Sequence, residues 1–276
     1  MAALPSCGME YSWGFNRAAR SIIVGFDGIF SRFTGGKLPF FSVRRLATRI
    51  LELAGARRAL LRWSAWEYWY FGEPEIRLLR YLVDPEKIAL DIGAADGVYT
   101  FYLQRLAKRC IAFEPNPISF SNLKRALPGS EIYQAAISSR DGGAWLRVPV
   151  VAGVGYGGWG TIEPQNQFSE LPGCDVERFK VRTICPDNMC LDDVGFIKID
   201  VEGHELDVLE GLKQTLSRCQ PNLLIEVRGM DSKASLADVR RLLSSLGYTG
   251  VRLRDGLLKR IPEESEVGGN VIFIAK

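Results

Sequence analysis

The stretch IALDIGAADGVYTF, residues 88–101, closes an apolar run on Asp91 and then sets Gly93, Ala95 and Gly97 before helical periodicity resumes. Small residues there let the edge of a ligand come close to the backbone, and a helix beginning near Val98 offers free N–H groups. A turn made for a dinucleotide pyrophosphate reads GxGxxG; here the spacing is DxGxAxG, with a carboxylate two residues before the first glycine. That carboxylate repels pyrophosphate. It suits a ligand with an ammonium group, as the methionine moiety of S-adenosylmethionine has. Glu114 lies 21 residues after Gly93 and ends a second apolar run, CIAFEP, where an acid can accept both hydroxyls of a ribose. Asp91, Gly93, Ala95, Gly97 and Glu114 together predict a nucleoside site.

A second cluster, FIKIDVEGHELDVLEGL, places Asp200, Glu202, His204 and Glu205 within six residues at the end of another buried run. Acids grouped behind a buried strand are costly unless something polar or positive uses them. An alcohol is a poor nucleophile until its proton leaves, so chemistry at a hydroxyl needs a general base in reach. Asp200, Glu202, His204, Glu205 and Glu226 are the candidates. His204 is the only histidine of the chain; an unperturbed imidazole titrates in the right range, and a histidine at a helix start serves as often as a structural tie. Asp200, Glu202 and Glu226 would also suit Mg²⁺ or Ca²⁺ through oxygen ligands, although their spacing is not diagnostic of a metal. Tyr156 and Trp159 lie in a glycine-rich stretch, residues 153–173. They would form a flap that stacks on a sugar ring, or a hairpin facing solvent. Arg228 would meet an acidic acceptor or pair with Glu226.

These clusters require elements that bring strand ends together. EIRLLRYLV reads as a helix, KIALDIG as a short strand, residues 98–108 as a helix and CIAFEP as the next strand. SFSNLKRAL is a helix closed by Pro128-Gly129, EIYQAAIS a strand, and GAWLRVPVV another in a hairpin. VGFIKIDV is a buried strand leading into one helix, EGHELDVLEGLKQTLSRC; PNLLIEV, the helix SLADVRRLLSSLG, and the strands GYTGVRLR and NVIFIAK follow. Such alternation predicts a parallel α/β sheet with right-handed crossovers, and a ligand beyond the carboxyl ends of its strands.

Composition narrows the setting. With 276 residues, 47% apolar and 24% charged, the chain has the profile of a globular protein with a sizeable core. Six cysteines form no CxxC pair, which fits a reduced, cytoplasmic protein better than a disulfide scaffold. No apolar run reaches eighteen residues. Residues 1–66 hold ten Arg/Lys against three Asp/Glu, a net of +7, within an overall +3. This basic, aromatic-bearing arm would either touch an anionic lipid surface at the inner face of a membrane, or form amphipathic helices packed on the rest of the chain. Nucleic acid is not expected as a partner, because the basic excess lies apart from both clusters.

At EPEIRLLRYLVDPEKIALDIGAADG, FEPNP, KIDVEGHELDVLEGL, PNLLIEV, GYTGVRLR and GNVIFIAK the chain resembles the FkbM-type S-adenosylmethionine-dependent methyltransferases, over about residues 73–276. The resemblance implies a Rossmann-like, seven-stranded class I methyltransferase sheet with its last strand antiparallel. Residues 71–276 would form this domain, and residues 1–70 a mostly helical extension. It implies O-methyl transfer to a sugar, glycan or glycolipid hydroxyl, with a polyketide or other secondary metabolite as the alternative acceptor. Asp91, Gly93, Ala95 and Gly97 then match the cofactor turn, Glu114 the ribose acid, and Asp200 with Glu202 the acidic strand-end motif. Ala136 and Ile137 would lie near the adenine, and Ser138 at its amino edge. Two rivals stand beside this reading: a scaffold that binds the cofactor without catalysis, and a nicotinamide-dependent reductase, which the missing GxGxxG disfavours.

Overall fold

A computed structural model describes residues 56–151, 154–155, 157–163, 174–227, 235–262 and 268–275. Most of the expected extension, residues 1–55, lies outside them.

Helix α1 (Arg57–Phe71) and the short α2 (Leu79–Leu82) precede the first strand, β1 (Ile88–Ile92). Then come α3 (Val98–Leu106), β2 (Arg109–Phe113), α4 (Pro117–Ala126) and β3 (Glu131–Tyr133). An inserted unit contributes β4 (Ala136–Ile137), β5 (Gly142–Val151), β6 (Val154–Gly155) and β7 (Cys174–Ile184). The chain returns through β8 (Val194–Ile199), α5 (Glu205–Gly211), α6 (Lys213–Cys219), β9 (Asn222–Val227), α7 (Leu236–Ser245), β10 (Tyr248–Arg254), β11 (Leu257–Arg260) and β12 (Gly269–Ala275).

The main sheet runs β11-β10-β12-β9-β8-β1-β2-β3. β3, β2, β1, β8 and β9 pair in parallel, and β12 is antiparallel to both β9 and β10. It is the expected Rossmann-like sheet, with eight strands rather than seven. The eighth, β11, folds back on β10 through Asp255 and Gly256, both at positive φ (54° and 75°). Asp-Gly is the dipeptide that such a two-residue hairpin favours.

Side chains alternate across each strand, so every central strand feeds two cores. Leu90 and Ile92 of β1 pack with Val208 and Leu209 of α5, Leu216 of α6 and Val239 of α7. Ala89 packs on the other face with Leu61 of α1, Leu79 of α2, Leu103 of α3 and Leu123 of α4. Burying one such leucine contributes about 1.5–3 kcal/mol, and this two-sided burial explains why the central strands read as continuous apolar runs. Helix α1 belongs to this packing: Leu61 and Ala65 are buried, and the Tyr102 hydroxyl donates to the Ala65 carbonyl at 2.7 Å.

Three local readings change. EIYQAAIS is two strands, because the chain leaves the main sheet after Tyr133 and Ala136–Ile137 pair instead with β7. CDVERFKVRTI, not read as a strand, is the long β7, antiparallel to β5 in a four-stranded second sheet. Its exposed side chains are mostly charged and only one face packs, so apolar alternation is weak. The helix after β8 breaks at Leu212 into α5 and α6.

Candidate active site

The order of strands reverses between β1 and β8: the chain runs outward from β1 to β3, then crosses to the other side of β1. Ligands of open α/β sheets bind in the crevice this reversal leaves. At that point Gly93 follows β1 at φ 84°, and a Cβ there would sit 1.8 Å from the backbone oxygen of Asp200, just past β8. Only glycine allows the two loops to close this tightly. The amides of Gly93 and Ala94 both donate to the Phe113 carbonyl at 3.0 Å, which ties the turn to β2.

Glu114 completes this end. Its Oε2 accepts from the Ala95 amide at 2.7 Å and its Oε1 from the Asn116 amide at 2.8 Å. A carboxylate has about four acceptor positions, so each oxygen keeps room for a ligand hydroxyl. Burial pushes its carboxyl up to about 7, against the pull of those two amides. Ala95 takes a positive φ of 44° to present its amide.

A cleft opens from here. Gly93, Ala95, Glu114 and Ala136 line one part of it, with Ile137 beside them. Asp200, Glu202 and His204 line another part, and Leu146, Gly158, Gly160 and Ile162 bring in the inserted sheet. The two sequence clusters thus border one cavity.

Several expected site residues do not. Asp91 lies on the face of β1 opposite Ile92, buried, and its Oδ2 accepts from the Thr100 hydroxyl of α3 at 2.5 Å. Strand parity turns its carboxylate away from the cleft that Ile92 lines, and burial lifts it to about 6. Gly97 is required by packing: at φ 84° its Cβ would meet Leu123 Cδ1 at 2.2 Å. Ser138 holds His204 instead of lining the cleft. Trp159 is half exposed, while its neighbours Gly158 and Gly160 line the cavity; successive residues of the 3₁₀ turn Gly157–Trp159 point about 120° apart. Glu226 of β9, in register with Asn270 of β12, is not among the residues lining the cleft, and burial, then the charge of Asp200, raises its carboxyl to about 7. Tyr156 and Arg228 lie outside the described residues.

The DVEGHE turn is held by three contacts. Lys198, 1% exposed at its side chain, places Nζ 3.1 Å from Asp200 Oδ2. Glu202 and Gly203 take positive φ (56° and 101°), and the buried Glu205 carboxylate turns back to accept the Gly203 amide at 2.9 Å. Burial raises Glu205 to about 7, so it supports the turn and is not a base open to substrate. Thr161 of the inserted unit donates to the Glu202 carbonyl at 2.8 Å. Gly211 explains the glycine of VLEG: its Cβ would lie 2.3 Å from the Ser138 carbonyl oxygen.

His204 is buried with both ring nitrogens engaged. Nδ1 faces Glu163 Oε1 at 2.5 Å and Nε2 the Ser138 hydroxyl at 2.9 Å. An ionised carboxylate only accepts, so Nδ1 carries the proton, and Nε2 is the basic nitrogen to which Ser138 donates. Glu163 was not foreseen from the sequence; no local spacing connects it with His204. Among the described residues, the three-ligand group whose atoms converge within 4.8 Å is Glu163, His204 and Asp207. The trio that would suit a metal, Asp200, Glu202 and Glu226, is not such a group, and Glu226 does not line the cleft.

Comparison with known proteins places these features. The profile of a family described as "Methyltransferase FkbM domain" matches residues 91–249, more than half of the chain. The hexuronic acid methyltransferase AglP of Haloferax volcanii is 28% identical over 210 residues, which span 71% of this chain and 79% of AglP. The 2-O-methyltransferase NoeI of Sinorhizobium fredii is 29% identical over 159 residues, 51% of this chain and 64% of NoeI. A crystal structure of methyltransferase FkbM from Methylobacillus flagellatus superposes with a TM-score of 0.45 and 18% identity. It covers 74% of this chain, which spans just under half, 46%, of that longer protein.

Proposed function

The chain belongs to the FkbM methyltransferase family and is an S-adenosylmethionine-dependent methyltransferase, and on that footing we propose that it methylates a hydroxyl oxygen of a sugar, in a free glycan or a glycolipid. The observation that carries the reading is the shared cleft, with Glu114 at one part and the buried pair His204–Glu163 at another. A relative named as a hexuronic acid methyltransferase supports the acceptor class, and one named as a 2-O-methyltransferase supports transfer to oxygen.

The residues present fit the cofactor. Glu114 has free acceptor positions for two ribose hydroxyls, and Gly93 and Ala95 leave backbone surface bare beside it. Ala136 and Ile137 supply an apolar wall for an adenine, and Asp200 and Glu202 a negative border for a cationic ligand. S-adenosylmethionine supplies an electrophilic methyl on a sulfonium, a leaving group that is already good. The protein therefore contributes mainly alignment of the acceptor oxygen and removal of its proton.

In this reading His204 is the base. Glu163 holds the Nδ1–H tautomer and steadies the imidazolium that forms when Nε2 takes the hydroxyl proton, the logic by which a carboxylate orients a catalytic histidine elsewhere. Nε2 accepts from the Ser138 hydroxyl in this structure, so the acceptor hydroxyl must displace Ser138 to reach it. His204 Nε2 would take the proton of the acceptor hydroxyl as the bound cofactor supplies the methyl group to that oxygen. Asp200 and Glu202 orient the acceptor. Asp91 serves by fixing α3 through Thr100 rather than by touching the ligand.

The test is transfer of labelled methyl from S-adenosylmethionine to a panel of saccharides with and without uronic acids, followed by assignment of the methylated position. Label in an O-methyl sugar supports the reading; label confined to a non-saccharide acceptor overturns it. Turnover that survives EDTA would separate the base mechanism from a metal at Glu163, His204 and Asp207.

A further inference from the structure

Helix α1 carries more aromatic surface than the fold uses. Trp69 turns inward onto Tyr102, with ring centroids 5.6 Å apart, beside the buried Leu61 and Ala65. Trp63, Trp66 and Tyr70 recur at steps of three and four. At about 100° per residue they form a stripe opposite Leu61 and Ala65. They are 48%, 48% and 53% exposed. Their rings touch in series, Trp63 to Trp66 at 6.1 Å and Trp66 to Tyr70 at 5.2 Å, and Phe71 adds its edge to Trp66 at 6.0 Å. A contiguous patch of this kind marks an interaction site more often than idle surface.

Its chemistry selects the partner. Trp and Tyr join an apolar ring to one polar group and settle where an apolar layer meets a wet one. Arg58 and Arg62, both exposed, stand on the same helix, and the sequence up to residue 66 carries a net of +7. An anionic surface would pair with those arginines.

We propose that the outward face of α1 seats in the headgroup layer of an anionic phospholipid bilayer. The helix lies along the interface with Trp63, Trp66 and Tyr70 entering it and Arg58 and Arg62 reaching lipid phosphates, as amphipathic interfacial helices do. No described helix is long and apolar enough to cross a membrane, so the contact is peripheral for these residues. The proposal stands apart from the choice of acceptor.

Flotation of the full-length protein with vesicles tests it. Vesicles containing a third phosphatidylglycerol should retain at least about tenfold more protein than phosphatidylcholine alone, and the excess should fall as NaCl shortens the screening length. The triple variant Trp63→Ser, Trp66→Ser, Tyr70→Ser should lose about tenfold of that binding, with a melting midpoint close to wild type because all three side chains face solvent. Arg58→Glu with Arg62→Glu should remove the preference for anionic vesicles, and gives a second readout should the aromatic variant melt early. Equal binding to both vesicle types, undiminished binding of both variants, or a wild-type dimer that the triple variant turns into a monomer would each overturn the proposal.

Discussion

Glu163 and His204 lie 41 residues apart in sequence, yet Oε1 of one meets Nδ1 of the other at 2.5 Å, and this contact fastens the inserted sheet to the turn that follows β8. The acid arrives on the segment that Thr161 anchors, and Arg147 of β5 donates to the Glu163 carbonyl. The proposed base and the carboxylate beside it therefore come from segments attached to two different sheets.

Replacing His204 with Gln is expected to lower kcat by about 10²–10⁴, the usual share of a general base. Affinity for S-adenosylhomocysteine should stay within about twofold of wild type. Glu163→Gln should lower kcat less while keeping the same affinity. Near-normal turnover of His204→Gln in a methyl-transfer assay would make the histidine a structural tie.

Binding of S-adenosylhomocysteine should strengthen as pH rises from 6 to 8. Burial holds the Glu114 carboxyl at about 7, and the ionised form accepts ribose hydroxyls better, so affinity climbs through that range by at most about tenfold per pH unit and then levels. Calorimetry on Glu114→Gln should show weaker binding without this slope. A slope that persists in the variant would assign it to another group.

Glu205 should cost stability at neutral pH. Its carboxyl is raised from 4.5 to about 7 in the folded chain, so the folded state holds the proton more tightly. Its stabilising protonated form is fully present below the unfolded value and is lost as pH climbs through 7. The cost there is on the order of 3 kcal/mol. Between pH 4.5 and 8 the melting midpoint of Glu205→Gln should rise relative to wild type. A constant offset between the two melts would show that the carboxyl titrates normally.

Lys198 is the buried cation among Asp91, Asp200 and Glu226, with Nζ also 4.9 Å from the Tyr99 ring centre. Lys198→Met leaves buried carboxylates uncompensated and should destabilise by about 3–5 kcal/mol in denaturant melts at pH 8. The loss should shrink at pH 5, below the values of about 6 and 7 to which Asp91 and Glu226 are raised. Equal losses at both pH values would mean that those acids do not need the lysine.

Ala95→Gly should be neutral or stabilising by up to about 1 kcal/mol, because φ is 44° there and glycine carries no penalty for it. Gly93→Ala should instead abolish cofactor binding and destabilise strongly, since the new methyl would lie 1.8 Å from the Asp200 oxygen. Thermal melts with and without S-adenosylhomocysteine compare the two.

Much of the frame was legible in the chain. Apolar runs ending in Asp91, Glu114 and Asp200 are strands because both faces are buried, and the glycine-rich turn and the helix after each run follow from local chemistry. The FkbM resemblance rested on those same segments. What the residues did not disclose locally were the second sheet, whose strand β7 is too charged to alternate visibly, and the break of the last half of the DVEGHE helix at Leu212.

The sequence by itself determined which segments end at the site: turn chemistry and hydrophobic period act over a few residues and are written in them. Only the tertiary structure decided which side chains face the cleft. Asp91 and Ile92 are neighbours in sequence, but the two-residue repeat of a strand sends one into α3 and the other to the cavity. Ser138 and Glu163 reach His204 from 66 and 41 residues away, and such meetings depend on how the sheets pack, a property of the whole chain that no local pattern encodes.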